Sequence, residues 1–293
     1  MLKINEIRLQ LFAAIEPGDQ FWSDEIAKHG VLEIYSRITS HKFYLKNKSL
    51  PRIISDIESS NPDRLLDQIK SSGGEFLAPE DIDWPQQLED LISPPIGLVI
   101  RGQRETISSI ENSISIVGTR NPTNYGVRIS GDLSAAACDR NFAVISGGAY
   151  GIDTAAHKGA LAAEGVTVAV LGGGINSLYP SGNARLFQEI KETGLLISEV
   201  MPGVPAQPFR FLIRNRLIAA LSKGTVVTEA AFRSGSIRTA RDAAEIMRPV
   251  FAVPGPVTSP LSDGCHRLIA ERVADIATSV DEILEMVTPL HLR

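Results

Sequence analysis

The chain has 293 residues, of which 43% are hydrophobic and 22% charged, and its formal net charge is −5 at neutral pH. This composition is that of an ordinary globular protein, so it excludes collagen-like, mucin-like and disordered chains. No apolar run approaches the ~20 residues of a membrane-spanning helix, and Cys138 and Cys265 have neither metal-ligand nor disulfide-framework spacing, which favours a protein of the reducing cytoplasm.

Residues 1–77 have the pattern of a small, mostly helical N-terminal domain. Helical spacing of apolar residues appears near residues 7–15, and residues 24–28 also favour a helix. A further helix is predicted over residues 61–70, because Asn and Pro stand at its start as cap and first helical residue. A Ser-Ser-Gly-Gly sequence follows it, which predicts a hinge near Gly73.

Residues 78–293 are expected to form one larger domain. Short β-branched apolar runs recur along it, separated by helical stretches of roughly 10–17 residues. Continuous apolar strands that alternate with helices are typical of a parallel sheet covered on both faces. The fold class predicted is α/β, with a doubly wound, mostly parallel Rossmann-like sheet, and a run at 98–100 could add an edge strand. The six main strands are predicted at residues 113–117, 142–145, 166–171, 195–197, 225–228 and 250–253.

The loops that follow these strands are rich in glycine. In open α/β sheets, ligands bind beyond the carboxyl ends of the strands, and glycine lets main-chain N–H groups approach a phosphate closely. Arg120 stands in the first loop, where a guanidinium can pair with a phosphate. Neither GxGxxG nor a P-loop is present, so neither a dinucleotide nor another cofactor is expected. The loops concerned are at 118–122, 146–153, 172–176 and 234–236.

Charge is unevenly distributed. Residues 201–250 carry eight basic residues against three acidic ones, a net charge of +5 in a chain whose total is −5. Phe211 lies in this basic window beside Arg214, Asn215 and Arg216. An aromatic ring can stack on a base while arginine and asparagine bind the backbone, a combination that favours single-stranded nucleic acid. A solvated helix face with Phe211 in the core is the alternative.

The sequence offers little that predicts catalysis. His157 follows Asp153 by one helical turn, but two residues are too few for a metal site. Ser146 and Ser198 lack the GxSxG context of a nucleophile. A nucleotide-processing hydrolase of the lysine-decarboxylase-like (phosphoribohydrolase) group is the alternative function, although its Pro-Gly-Gly-x-Gly-Thr signature is poorly matched at residues 232–239.

An ordered set of motifs runs along the larger domain. The motifs are Gly-Thr-Arg at 118–120, Ser-Gly-Gly-Ala-Tyr-Gly-Ile-Asp at 146–153, Leu-Gly-Gly-Gly at 171–174, Tyr-Pro at 179–180, Ser-Glu at 198–199, Arg-Asn-Arg at 214–216, Ser-Gly-Ser at 234–236 and Pro-Gly at 254–255. In this order they resemble the bacterial DNA-processing protein A family (DprA, also called Smf). The resemblance covers roughly residues 80–272, and an Asp-Trp-Pro sequence at 83–85 is similar to the family's Tyr-Pro-x-x-Leu motif.

The resemblance implies a non-enzymatic protein that binds single-stranded DNA, protects incoming strands in natural transformation and loads RecA recombinase on them. It also implies a homodimer. The cysteine usage, the absence of a long apolar run and the absence of nucleotide-binding motifs predict a cytoplasmic location, no membrane association and no cofactor. The DNA-binding residues that the resemblance implies are Gly118, Thr119, Arg120, Gly147, Gly148, Gly151, Phe211, Arg214, Asn215 and Arg216. The chemistry of the loop after the fifth strand adds Ser234, Gly235 and Ser236 to them.

Overall fold

A computed structural model describes residues 3–43 and 47–288. Its first part is a bundle of short helices around Trp22, Ile34, Ile38 and Ile53, all of them buried. The last of these helices begins as the sequence predicts, because the Asn61 side chain accepts a hydrogen bond from the main chain of the first turn. The helices are α1 (Ile4–Ala14), α2 (Gln20–His29), α3 (Val31–Thr39), α4 (Leu50–Ser59) and α5 (Pro62–Ser71).

The rest of the chain is built on a nine-stranded sheet in the order β1-β2-β6-β5-β4-β3-β7-β8-β9. Strands β3 to β9 are mutually parallel, whereas β2 pairs antiparallel with β6 and β1 pairs antiparallel with β2. The α/β fold class predicted from the sequence is therefore confirmed. The strands are β1 (Glu75–Leu77), β2 (Leu98–Gly102), β3 (Ser113–Val117), β4 (Ala143–Ser146), β5 (Thr167–Leu171), β6 (Leu195–Ser198), β7 (Thr225–Val227), β8 (Val250–Ala252) and β9 (Asp275–Ile276).

Two details of the sheet differ from the sequence prediction. The run at 98–100 forms β2, which is not an edge strand, because β1 pairs along its other side. Residues 75–77 thus belong to the sheet although they lie within the range predicted for the helical domain. The division of the chain into two domains at residue 77 stays a prediction.

Helices cover both faces of the sheet because its strands are apolar on both faces. Within β4, Val144 packs into one buried cluster and Ile145 into the other. The first face carries α6, α7 and α12, and the second carries α9, α10 and α11. None of the helices within the described ranges has the length and apolar character needed to cross a membrane. The helices of this part are α6 (Asn124–Cys138), α7 (Ile152–Ala162), α8 (Ala184–Thr193), α9 (Pro208–Leu221), α10 (Gly235–Glu245), α11 (Asp263–Ala270) and α12 (Val280–Val287).

Strand order reverses at β3. The chain steps from β3 through β4 and β5 to β6 in one direction, then crosses back to place β7 on the other side of β3. The helices that leave β3 and β7 diverge at such a point, so a crevice opens at the carboxyl ends of these strands. The loop after β3 and the turn into α10 both lie there.

Candidate nucleic-acid interface

A cleft of about 730 Å³ opens at this reversal of strand order. Its walls are the loop after β3, the first half of α9 and the turn into α10. The structure brings together nine of the residues predicted for DNA binding. They are Gly118, Thr119, Arg120, Phe211, Arg214, Asn215, Ser234, Gly235 and Ser236.

Arg214 lines the cleft as a buried cation. Its side chain extends from α9 toward β5, where Nη1 donates a hydrogen bond of 2.9 Å to the carbonyl of Val170. The residue is 6% exposed, its Nε has no partner, and no ion pair within residues 3–43 and 47–288 includes it. Burial lowers the pKa of Arg214 to about 10, partly offset by the carboxylate of Asp153. The guanidinium is therefore charged at neutral pH and largely removed from water.

The loop between β4 and α7 passes beside Arg214. A Cβ atom on residue 147 would overlap Nη1 of Arg214, so only glycine allows this approach. Asp153 accepts hydrogen bonds from the main-chain N–H groups of Gly147 (3.2 Å) and Ala149 (3.3 Å), which hold the loop. Burial raises the pKa of Asp153, and Arg214 opposes that rise.

The three predicted glycines of this loop lie outside the lining of the main cleft. Gly147 lines a small adjoining recess with Arg120. Gly148 and Gly151 have φ angles of +68° and +81°, which side-chain-bearing residues rarely adopt. Both glycines therefore give the loop its path rather than a surface in the cleft.

Aromatic and cationic side chains meet at the rim of the cleft. The guanidinium carbon of Arg120 lies 5.3 Å from the centre of the Phe211 ring, a cation–π contact. The Tyr179 ring also contacts Phe211, with centroids 5.4 Å apart and an angle of 48° between the ring planes. Arg120 is exposed and takes part in no ion pair of the residues that the structure describes. Tyr179 was not among the predicted binding residues, although the Tyr-Pro motif had marked its position.

The N-terminus of α10 opens into the cleft. Ser234 caps the helix, since its hydroxyl accepts a hydrogen bond of 3.3 Å from the main-chain N–H of Ser236. The side-chain amide of Asn215 joins α9 to this turn by donating a hydrogen bond of 3.3 Å to the carbonyl of Gly235. Free N–H groups and the partial positive charge of a helix start favour an anion at this place.

The basic window divides into paired and unpaired residues. Five of its arginines have carboxylate partners, so their charge is balanced within the protein. Arg214 and Arg233 both line the cleft, and neither takes part in an ion pair of the described part of the chain. Arg233 is a cleft residue that the sequence prediction missed, although it stands next to Ser234 in that window. The paired residues are Arg210 with Glu16, Arg216 with Glu199, Arg238 with Asp242, Arg241 with Glu271 and Arg248 with Asp90.

Arg216 lies outside the cleft, on the other side of α9 from Phe211. Its Nη2 lies 2.5 Å from Oε1 of Glu199, and both side chains are nearly buried. Burial raises the pKa of Glu199, and Arg216 opposes that rise. A Cβ on Gly18, in the loop between α1 and α2, would lie 3.4 Å from Nε of Arg216, so this loop covers the back of α9.

Two groups that could carry acid–base chemistry are engaged in the fold. Glu229 accepts hydrogen bonds from the main chain (2.9 Å) and the hydroxyl (2.6 Å) of Thr123, at the start of α6. His157 Nδ1 lies 2.7 Å from the hydroxyl of Thr167, which itself donates to a main-chain carbonyl, so Nδ1 carries the proton. Burial lowers the pKa of His157 to about 3, with a smaller contribution from Arg214. Neither Glu229 nor His157 lines the cleft.

Known proteins resemble this chain over most of its length. The family model described as DNA recombination-mediator protein A matches residues 75–288. A DprA protein of Mycobacterium tuberculosis is 42% identical over 76% of this chain, and the matched residues span 60% of that relative's length. The DNA processing protein DprA of Streptococcus pneumoniae is 38% identical, with 69% of this chain and 70% of the relative covered.

Two solved structures share the fold. DprA of Streptococcus pneumoniae matches with a TM-score of 0.81 at 28% sequence identity, and the match covers 97% of this chain and 98% of the Streptococcus pneumoniae chain. DprA of Helicobacter pylori, whose structure was described for its single-stranded DNA binding mode, matches with a TM-score of 0.65 at 28% sequence identity. This match covers 74% of this chain and 97% of the Helicobacter pylori chain. The chain belongs to the DNA recombination-mediator protein A family, the family also known as DprA or Smf.

Proposed function

We propose that this protein binds single-stranded DNA in the cleft formed by the β3 loop, α9 and the turn into α10. The observation that carries the proposal is the buried guanidinium of Arg214 in the cleft wall, which forms no ion pair with another described residue. Removing a cation from water costs several kcal/mol, which the carboxylate of Asp153 offsets only in part. A phosphate group in the cleft would supply further negative charge and would also meet the N-terminus of α10.

The form of the cleft favours an unpaired strand over a duplex. Arg214 is recessed, so a ligand must bring its phosphate into the cleft to reach it. A single strand is flexible enough to do so while its bases contact aromatic side chains, which is how sequence-tolerant single-strand binders work. Main-chain N–H groups and arginines carry no information about base identity, so binding independent of sequence is expected.

The wider role that we propose rests on family membership. The protein would protect single strands that enter the cell in natural transformation and load RecA recombinase on them, as a non-enzymatic homodimer. Engagement of Glu229 by Thr123 supports a binding role over hydrolysis, since a general base needs a carboxylate that is free to take a proton. Light scattering would test the dimer, and a RecA filament assay on coated single strands would test the loading.

Fluorescence anisotropy with labelled oligothymidylate and with a duplex of equal length tests the DNA-binding proposal. Wild-type protein should bind the single strand more tightly than the duplex. Arg120→Ala and Arg214→Met should each weaken binding by about tenfold or more, because each removes a phosphate partner. Arg185→Ala is the matched control, since Arg185 is exposed on α8 and paired with Glu189. Unchanged binding by both cleft variants would show that the DNA lies elsewhere.

A further inference from the structure

Phe211, the aromatic residue that the sequence offers for base stacking, already has neighbours on several sides. Arg120 lies over its ring and Tyr179 contacts it at a tilt. A Cβ at residue 172 would lie 2.7 Å from Cδ1 of Phe211, so the ring also lies against the main chain of Gly172. Phe211 lines the cleft but is only partly exposed, so less of its surface than of Tyr179 is open to a base.

Tyr179 is the better exposed of the two aromatic rings. It is 52% exposed, although the next residue, Pro180, is buried and anchors the segment. Tyr179 lines both the main cleft and the recess that adjoins it at Arg120 and Gly147. Its ring therefore contacts Phe211 while roughly half of its surface faces solvent at the cleft.

We propose that Tyr179 is the residue on which a DNA base stacks, and that Phe211 is a positioning residue that holds the tyrosine ring in place. This inference rests on the proposed function, because it assigns the base-contacting part of the same cleft. Phosphates would be held by Arg214 and Arg120, and the base next to them would cover the open face of Tyr179. Every base has a π-face, so the contact adds affinity without selecting a sequence.

The test compares two ligands that share a sugar–phosphate backbone. One is labelled oligothymidylate and the other is an abasic strand of the same length. Tyr179→Ala should weaken binding of oligothymidylate by about tenfold, the usual effect of losing one stacked base, and should leave binding of the abasic strand unchanged. Tyr179→Phe should bind both ligands as the wild type does, because the ring remains.

A matched control and a spectroscopic readout sharpen the test. Tyr125→Ala removes a 41% exposed tyrosine of α6 that is not in the cleft, and it should change neither affinity. A strand containing 2-aminopurine should lose fluorescence on binding to wild type, since stacking on an aromatic ring quenches the probe. Tyr179→Ala should reduce that quenching, and Phe211→Leu should reduce it as well, because the tyrosine ring loses its support.

The outcomes separate this inference from the proposed function. Unchanged oligothymidylate binding by Tyr179→Ala would overturn the inference and leave the cleft proposal standing. Equal weakening for both ligands would also overturn it, since that pattern indicates a general disturbance of the cleft. If wild-type protein bound neither ligand, the proposed function itself would fail.

Discussion

The main chain at Gly147 approaches the guanidinium of Arg214 so closely that no side chain fits between them. Arg214 is thereby held with Nη1 on the carbonyl of Val170 and with its charge in the cleft wall. The glycines of the loop after β4 thus act through an arginine of another element, whereas Ala149 of the same loop lines the main cleft itself.

Gly147→Ala tests this relationship. The added methyl group must displace Arg214, so we expect oligothymidylate affinity to fall by about tenfold and the free energy of unfolding by about 1–3 kcal/mol, as for other overpacked sites. Anisotropy and urea unfolding measure the two effects. Gly131→Ala is the control, because a Cβ there would lie 4.0 Å from its nearest neighbour, the carbonyl oxygen of Ala155, in ordinary contact. Wild-type affinity in Gly147→Ala would mean that the position of Arg214 does not matter for binding.

Arg216 should behave differently from Arg214. Arg216→Ala leaves the buried carboxylate of Glu199 without its partner, which should lower the free energy of unfolding by about 3–5 kcal/mol. Because Arg216 lies outside the cleft, the folded variant should keep its affinity for oligothymidylate. Urea unfolding and anisotropy at low temperature separate the two effects. A stable variant that has lost DNA binding would instead place Arg216 in contact with DNA.

His157 should make stability depend on pH. The pKa of His157 is about 3 in the folded state, whereas its ordinary value is 6.5. Below pH 6.5, His157 therefore binds a proton in the unfolded chain but not in the folded chain. The free energy of unfolding should therefore fall by up to about 1.4 kcal/mol per pH unit from this group as the pH drops below 6.5.

The variant His157→Gln isolates this contribution. The difference in unfolding free energy between wild type and variant should shrink as the pH is lowered from about 7.5 to about 5. A difference that stays constant over this range would show that His157 is protonated equally in both states.

The salt dependence of DNA binding should reflect the number of phosphates that the three cleft arginines without an ion pair neutralise. If Arg120, Arg214 and Arg233 each neutralise one phosphate, log Kd should rise with log salt concentration with a slope of about 2, since each contact with a single strand contributes about 0.7. Arg233→Ala should reduce the slope by about 0.7. Arg238→Ala should leave it unchanged, because Asp242 already balances that charge. Equal slopes in wild type and Arg233→Ala would exclude Arg233 from the phosphate contacts.

The sheet was predictable because parallel strands buried on both faces are continuous apolar runs. All six predicted main strands are present, whereas the two-residue strand β9 leaves no such run in the sequence. The helices over 31–39 and 50–59 were also missed, although they carry apolar residues at helical spacing. The cleft was predictable in outline, because strand ends and glycine-rich loops define its place in any doubly wound sheet.

The details of the cleft depend on which way each helix faces. Arg214 and Arg216 are neighbours in the sequence, but residues two apart lie on opposite sides of a helix, and only Arg214 reaches the cleft. Most of the partners that neutralise the other arginines come from distant segments, such as Glu16 for Arg210, and cannot be identified from local sequence. Asp242 is the exception, since it lies one helical turn after Arg238. The contact of Tyr179 with Phe211 likewise joins separate elements.

Helix α9 has the cleft on one side and ion pairs on the other. Arg210 holds both carboxylate oxygens of Glu16, a residue 194 positions away in the chain, at 2.7 and 3.1 Å. This pair joins the start of α9 to the loop after α1, so the N-terminal helices brace the helix that carries Arg214 in the cleft wall.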